Sequence, residues 1–213
     1  MGQLFHPDSP VIRFLWKAAD LIALNLLCLV CCIPIVTIGP SVAAMYSVAR
    51  KVARGEWPAI FKTFFKEFKS CFKQAILVFF ILLIPTVLVV AYLMLSLSGA
   101  LDGAVIIKYF SWVAVVIISC ICTYVYPLMA HFENTLGNTL KNAMLLPLAN
   151  PFLAAIATAL NLLPLLLMLL NFELFVKLSF FWLAVGFSLT AVINTKLLGL
   201  IFRKLVPDEG EEP

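Results

Sequence analysis

The chain has 213 residues, 63% of them hydrophobic and only 12% charged, with a formal net charge of +4 and six cysteines. Soluble domains hold about 45–50% apolar and about 25% charged residues, and a soluble fold of this size could not hide so much apolar surface. Soluble, disordered, collagen-like and disulfide-scaffold classes are excluded, leaving an all-α, polytopic helical membrane protein.

In chain order, Met1–Pro10 lacks basic residues, and no small-residue cleavage site follows the first apolar run, so that run is read as an anchor and not as a cleaved signal. A spanning helix needs about 20 apolar residues. Five uncharged runs qualify: Leu21–Ile38, Ile76–Ser98, Tyr109–Ala130, Asn142–Phe172 (which includes an approach segment) and Leu178–Thr195. None alternates with period two, which argues against a β-barrel. Asp20 opens the first run one turn after Lys17, and this spacing predicts a local ion pair.

The first run meets Pro34-Ile35-Val36-Thr37-Ile38-Gly39-Pro40. Pro34 removes a helical hydrogen bond and Gly39-Pro40 signals a turn, so the pattern predicts a broken helix and a short hairpin or re-entrant helix. Gly39 is expected to need either φ > 0 or close approach to a neighbour. Two readings stay open. In one, Asn25, Pro34, Thr37, Gly39, Pro40, Ser41 and Tyr46 line a solute path, as broken helices do in transporters. In the other they close a tight hairpin whose freed carbonyls are met by the Thr37 and Ser41 hydroxyls. Ala43, Ala44, Ser47, Ala49 and Ala53 give the return helix small-xxx-small spacing for close packing.

Charge chooses the topology. If the stretch 39–49 returns the chain to its starting side, all 15 Lys and Arg except Lys108 and Lys177 lie inside, with both termini cytoplasmic. If it does not, Arg13 and Lys17 join the outer set. The positive-inside rule favours the first arrangement. Trp16 and Trp57 then mark the inner boundary, and Trp112 and Trp182 the outer one.

Two cytoplasmic interfacial amphipathic helices are expected. In Trp57–Gln74, Phe61, Phe64, Phe65, Phe68 and Phe72 share one stripe, and Lys62, Lys66, Lys69 and Lys73 share another. Trp57 with these phenylalanines and lysines suits an in-plane anchor on the anionic leaflet, at about 1 kcal/mol per lysine, or a dock for a cytosolic partner. Four lysines so close to lipid are too few for nucleic acid. The second helix is His131–Leu146. Aligning Lys73 with Lys141 also matches Phe64 with Phe132, Ala75 with Ala143 and Leu77 with Leu145, hinting at a weak repeat, 57–130 and 131–203, within a single transmembrane domain of residues 1–206. Residues 207–213 are an acidic tail, carrying Asp208, Glu209, Glu211 and Glu212.

Catalytic patterns do not assemble. His131-Phe132-Glu133 lacks the Pro-Cys-x-x-Cys that completes a zinc deaminase, and Glu133, Gly137 and Pro147 miss the spacing of an importer coupling loop. Cys28, Cys31 and Cys32 sit within a span without histidine or carboxylate partners, where cysteine behaves as a small hydrophobe. No enzyme, cofactor or metal is expected. Asn25, Asn161 and Asn194 lie at membrane depth and are expected to bond helix to helix. Lys196 can snorkel to the inner surface.

Leu24-Asn25-Leu26-Leu27, the Pro34–Pro40 hairpin, Ala43-Ala44, Tyr46 and Arg54-Gly55, with Phe72-Lys73-Gln74, Phe132-Glu133 and Lys141-Asn142-Ala143, resemble the YesL-like family of bacterial membrane proteins, a family of unknown function. The resemblance implies a multi-pass protein of a Gram-positive cell membrane. It also implies, by the family's frequent proximity to carbohydrate ABC importers, an accessory role in saccharide uptake, with importer subunits or further copies of the chain as partners. It carries over no catalytic or binding residues. A small solute transporter, oligomeric and acting alone, is the alternative.

Overall fold

The computed structural model describes residues 10–98, 105–131 and 135–205. They form helices α1 (Pro10–Cys31), α2 (Ile38–Ala53), α3 (Ile60–Leu97), α4 (Val105–His131), α5 (Leu136–Ala149), α6 (Pro151–Leu170), α7 (Phe172–Phe181) and α8 (Phe187–Leu205). A 3-10 turn, Ile35–Thr37, precedes α2, and a π turn, Trp182–Gly186, joins α7 to α8. Five helical stretches among the described residues are long and apolar enough to cross a membrane: Phe14–Cys31, Ile60–Leu97, Ile106–His131, Pro151–Leu170 and Phe172–Ile201. This is a polytopic helical membrane protein.

Helix α2 is the hub. It packs on α1, α3, α4 and α8, and Ala43, Ala44, Ser47, Val48 and Ala49 are all buried. Small side chains let four neighbours approach one short helix, as packing within lipid requires. Its end is a Schellman motif. Gly55 takes φ +85°, its N–H donates to the Val52 carbonyl at 3.0 Å, and the Glu56 N–H reaches the Lys51 carbonyl at 3.0 Å.

One end of the bundle gathers the basic residues. Lys17 Nζ lies 5.1 Å from the Trp57 ring, Lys51 pairs with Glu67 at 3.1 Å, and Arg50 donates to the His131 carbonyl at 3.2 Å. Leu198 and Ile201 of α8 join Leu128 and Ala143 in one buried cluster near the same end. Lys17 near the start of α1 and Trp57 ahead of α3 are therefore at the same end of the bundle. Lys17 faces the Trp57 indole; the ion pair expected with Asp20 is not formed among the described residues.

Several boundaries differ from the sequence expectation. Gly39-Pro40 is no turn: both residues sit in the first turn of α2, where a missing proline N–H costs nothing because those amides have no intrahelical partner. The break falls earlier, at Pro34, which is extended at φ −75°, ψ 123°. The segment 60–74 is not a helix of its own. It is the first part of α3, whose 38 residues make one α-helix about 57 Å long. Nothing between Lys73 and Ile76 breaks it, because Gln74-Ala75 is a good helical pair and the proline, Pro85, lies within the span. The run Asn142–Phe172 divides at Asn150, with Pro151 opening α6 at a position that suits proline. The second amphipathic stretch is α5, which turns Thr139, Ala143 and Leu146 inward. Phe132, Glu133 and the acidic tail lie outside the described residues.

Candidate functional site

The hairpin residues do not converge on a path. Asn25 is fully buried, and its three hydrogen bonds go to the π turn and the first turn of α8: Nδ2 donates to the carbonyls of Trp182 at 3.1 Å and Leu183 at 2.7 Å, and Oδ1 accepts the N–H of Ser188 in α8 at 2.9 Å. Thr37 Oγ1 donates to the carbonyls of Cys31 and Pro34, both at 2.7 Å, and Ser41 Oγ to the Thr37 carbonyl at 2.7 Å. The carbonyls freed by the break are thus met by the hydroxyls the sequence offered. Gly39 is closely packed: a Cβ there would collide with the Ala75 carbonyl oxygen and stand 2.8 Å from Phe79 Cβ. Close approach explains this glycine, and its φ is not positive. Pro34 is exposed at the hairpin tip beside Ile33 and Ile35, while Pro40 is buried.

Of the hairpin set, Tyr46 borders a cavity. A side groove of about 280 Å³ runs between α2, α3, α4 and α6, with Tyr46, Thr86, Ser119, Thr123, Tyr126 and Asn161 as its hydrogen-bonding lining. Tyr46 is 5% exposed. Its hydroxyl accepts from Asn194 Nδ2 at 3.4 Å, and the same Nδ2 donates to Asn161 Oδ1 at 2.9 Å. The sequence placed Asn161 and Asn194 at membrane depth and expected them to bond helix to helix, which they do. Their meeting with Tyr46 of α2 was not readable, because it depends on how α6 and α8 cross the hub.

On α3 the lysine stripe faces away from the bundle. Lys62, Lys66, Lys69 and Lys73 fall within an arc of about 60° at 100° per residue, opposite the buried Ile60, Phe64, Ala75 and Val78. All four lysines are exposed, as are Phe61 and Phe65. The aromatic stripe divides. Phe64 is fully buried against the α1–α2 core, with Trp57 and Phe68 packed beside it, and Phe68 stacks on Phe64 with ring centroids 6.1 Å apart. Phe72 is half-buried, its ring centroid 5.5 Å from that of Phe68. Part of the expected lipid-facing stripe is protein core because α2 needs a large partner there. Trp182 is also interior: it is 7% exposed and lies across Gly186, where a Cβ would strike its ring, so it does not belong to an aromatic belt.

A family described as "Protein of unknown function, DUF624" matches residues 21–93, from the middle of α1 through the hairpin and α2 into α3. The chain is also 27% identical over 176 residues to "Uncharacterized protein YesL" of Bacillus subtilis (strain 168), covering 81% of this chain and 78% of that protein. Both findings support a YesL-like family of unknown function. No solved structure matches the chain. The family match takes in Asn25, the hairpin, Tyr46 and the lysine stripe of this chain, but stops before Asn161 and Asn194.

Proposed function

We propose that this YesL-like chain is a non-enzymatic accessory protein of a bacterial cell membrane, working beside a carbohydrate uptake or sensing system, with its basic end in the cytoplasm. The observation that supports this reading is the outward ridge of Lys62, Lys66, Lys69 and Lys73 on α3, fixed in place because the opposite side of the same helix is locked against α2. A charged ridge held rigidly on a long helix suits contact with the anionic leaflet or an acidic partner surface. The polar groups of the bundle around Asn25 are spent on backbone atoms, which suits a structural core better than a conducting one.

The test is purification of the tagged full chain in mild detergent, with mass spectrometry of co-purifying proteins. An importer subunit should be recovered. Replacing all four ridge lysines by arginine keeps charge and headgroup attraction but changes hydrogen-bonding geometry, so it should weaken that recovery while insertion stays normal. If no subunit is recovered and the purified chain alone moves sugars into proteoliposomes, the accessory reading fails. The small-transporter reading, which the groove beside Tyr46 favours, then replaces it.

A further inference from the structure

The groove lies near mid-bundle: Ser119 is twelve residues before His131 and Thr86 eleven before Leu97, about 18 Å and about 16 Å along their helices. One wall is apolar, made by Val42, Val89, Val115, Ile118 and Leu162. No Asp, Glu, Lys or Arg lines it. Its rim opens sideways, where the lining residue Val90 is exposed, and so toward the acyl chains of the bilayer.

The polar groups at its floor are not all satisfied. Thr86 and Thr123 donate to their own helices, to the carbonyls of Leu82 and Ser119. Tyr46 differs. Its oxygen accepts from Asn194 and also faces the Asn161 side chain, it donates to no acceptor in hydrogen-bond geometry among the described residues, and Asn194 Oδ1 is buried there without a partner. Turning over the Asn194 amide together with that of Asn161 would let Asn194 Oδ1 accept both the Tyr46 proton and an Asn161 N–H, so the cluster can close on itself when the groove is empty. A guest bearing an oxygen acceptor can take the Tyr46 proton instead. In a site this apolar an ionised guest would face an uncompensated desolvation penalty. The volume, about nine times the ~30 Å³ share of a water molecule, lies near the lower end of ligand pockets at about 300–1,000 Å³. It admits a single chain and not a whole phospholipid.

We propose that this groove binds a neutral single-chain amphiphile from the bilayer, its terminal hydroxyl or carbonyl oxygen accepting a hydrogen bond from Tyr46 and its chain lying along the wall of Val42, Val115 and Ile118. The proposal goes beyond the accessory role and does not depend on it.

The probe is a dodecanol carrying a diazirine, compared with the same chain lacking the hydroxyl, each photolysed with the full chain in phospholipid nanodiscs. The alcohol should label residues 115–126 saturably, be displaced by excess unlabelled dodecanol, and label about three- to tenfold more than the alkane, the range one hydrogen bond supplies. Tyr46→Phe removes only the hydroxyl and should bring the alcohol down to the alkane. Ser119→Phe fills the groove from a residue that does not touch Asn194 and should block both probes, with size-exclusion profiles unchanged. Equal, unsaturable labelling by both probes, unaltered by Tyr46→Phe, would show ordinary acyl-chain packing and overturn the proposal. So would alcohol labelling that survives Ser119→Phe in a well-folded variant.

Discussion

Asn25 Oδ1 accepts the backbone N–H of Ser188 at 2.9 Å, while its amide group holds the carbonyls of Trp182 and Leu183. A π turn displaces the helical ladder by one residue and leaves backbone groups misaligned where α-geometry resumes. In lipid such groups have no water to turn to. The Asn25 side chain supplies that missing partner from the neighbouring helix, and Ser188 Oγ returns a bond to the Leu21 carbonyl at 2.9 Å. The clamp ties α1 to α8.

Asn25→Leu keeps the size but removes all three bonds. At about 1 kcal/mol per bond, it should destabilise the fold by about 2–4 kcal/mol. Ser188→Ala keeps its N–H on Asn25 and should cost about 1 kcal/mol or less. Reversible unfolding in mixed micelles measures both. An Asn25→Leu variant as stable as the parent would mean that the π turn needs no clamp.

Gly39 tests the hairpin. Its missing side chain admits the Ala75 carbonyl, a backbone atom that cannot swing aside. Gly39→Ala should therefore lower stability by about 1–3 kcal/mol through overpacking, and Gly39→Val more. Gly137 in α5 has open space where a Cβ would stand. Gly137→Ala should be neutral or stabilising by up to about 1 kcal/mol through helix propensity. Gly39→Ala should lower the melting temperature and Gly137→Ala should not; an equal fall in both would remove the close-approach argument.

The Lys51–Glu67 pair, 3.1 Å long, leaves its two side chains 29% and 27% exposed. Water reaches it, so a double-mutant cycle with Lys51→Ala and Glu67→Ala should give a coupling of about 1 kcal/mol or less, falling as salt is raised. A coupling that is larger and insensitive to salt would show that the pair is far better shielded than its exposure implies.

What the sequence made legible follows from local chemistry. The apolar runs, the break at Pro34 and the hydroxyls of Thr37 and Ser41 are all set by residues within a few positions of one another, and they were readable. Asn25 was singled out by depth alone, because its partners are backbone atoms about 160 positions away that carry no residue signature. Trp182 was misplaced for a related reason. A tryptophan near a span end satisfies the rule for a membrane belt, and only Gly186, four residues on, betrays that the ring folds back over its own helix. The aromatic stripe of α3 was visible as a stripe, but periodicity cannot say whether lipid or α2 covers Phe64.

The depth of the hairpin gives the last prediction. Gly39 packs on Ala75 and Phe79 of α3, which then continues for eighteen residues to Leu97, about 27 Å beyond. The tip between α1 and α2 therefore ends well short of the far end of α3, with Ile33, Ile35 and Val36 exposed and wholly apolar around it. Such a tip belongs in hydrocarbon, since a loop reaching water would not leave three bulky apolar side chains uncovered. We expect a re-entrant hairpin with its open end cytoplasmic. In a background with all six cysteines replaced, a single cysteine at Ile35 should resist an impermeant thiol reagent from both faces of the membrane. Cysteines at Trp57 and Gln3 should react only from the cytoplasmic face in inverted vesicles. Labelling of the Ile35 position in intact cells would instead show that α1 and α2 each cross completely, giving six crossings.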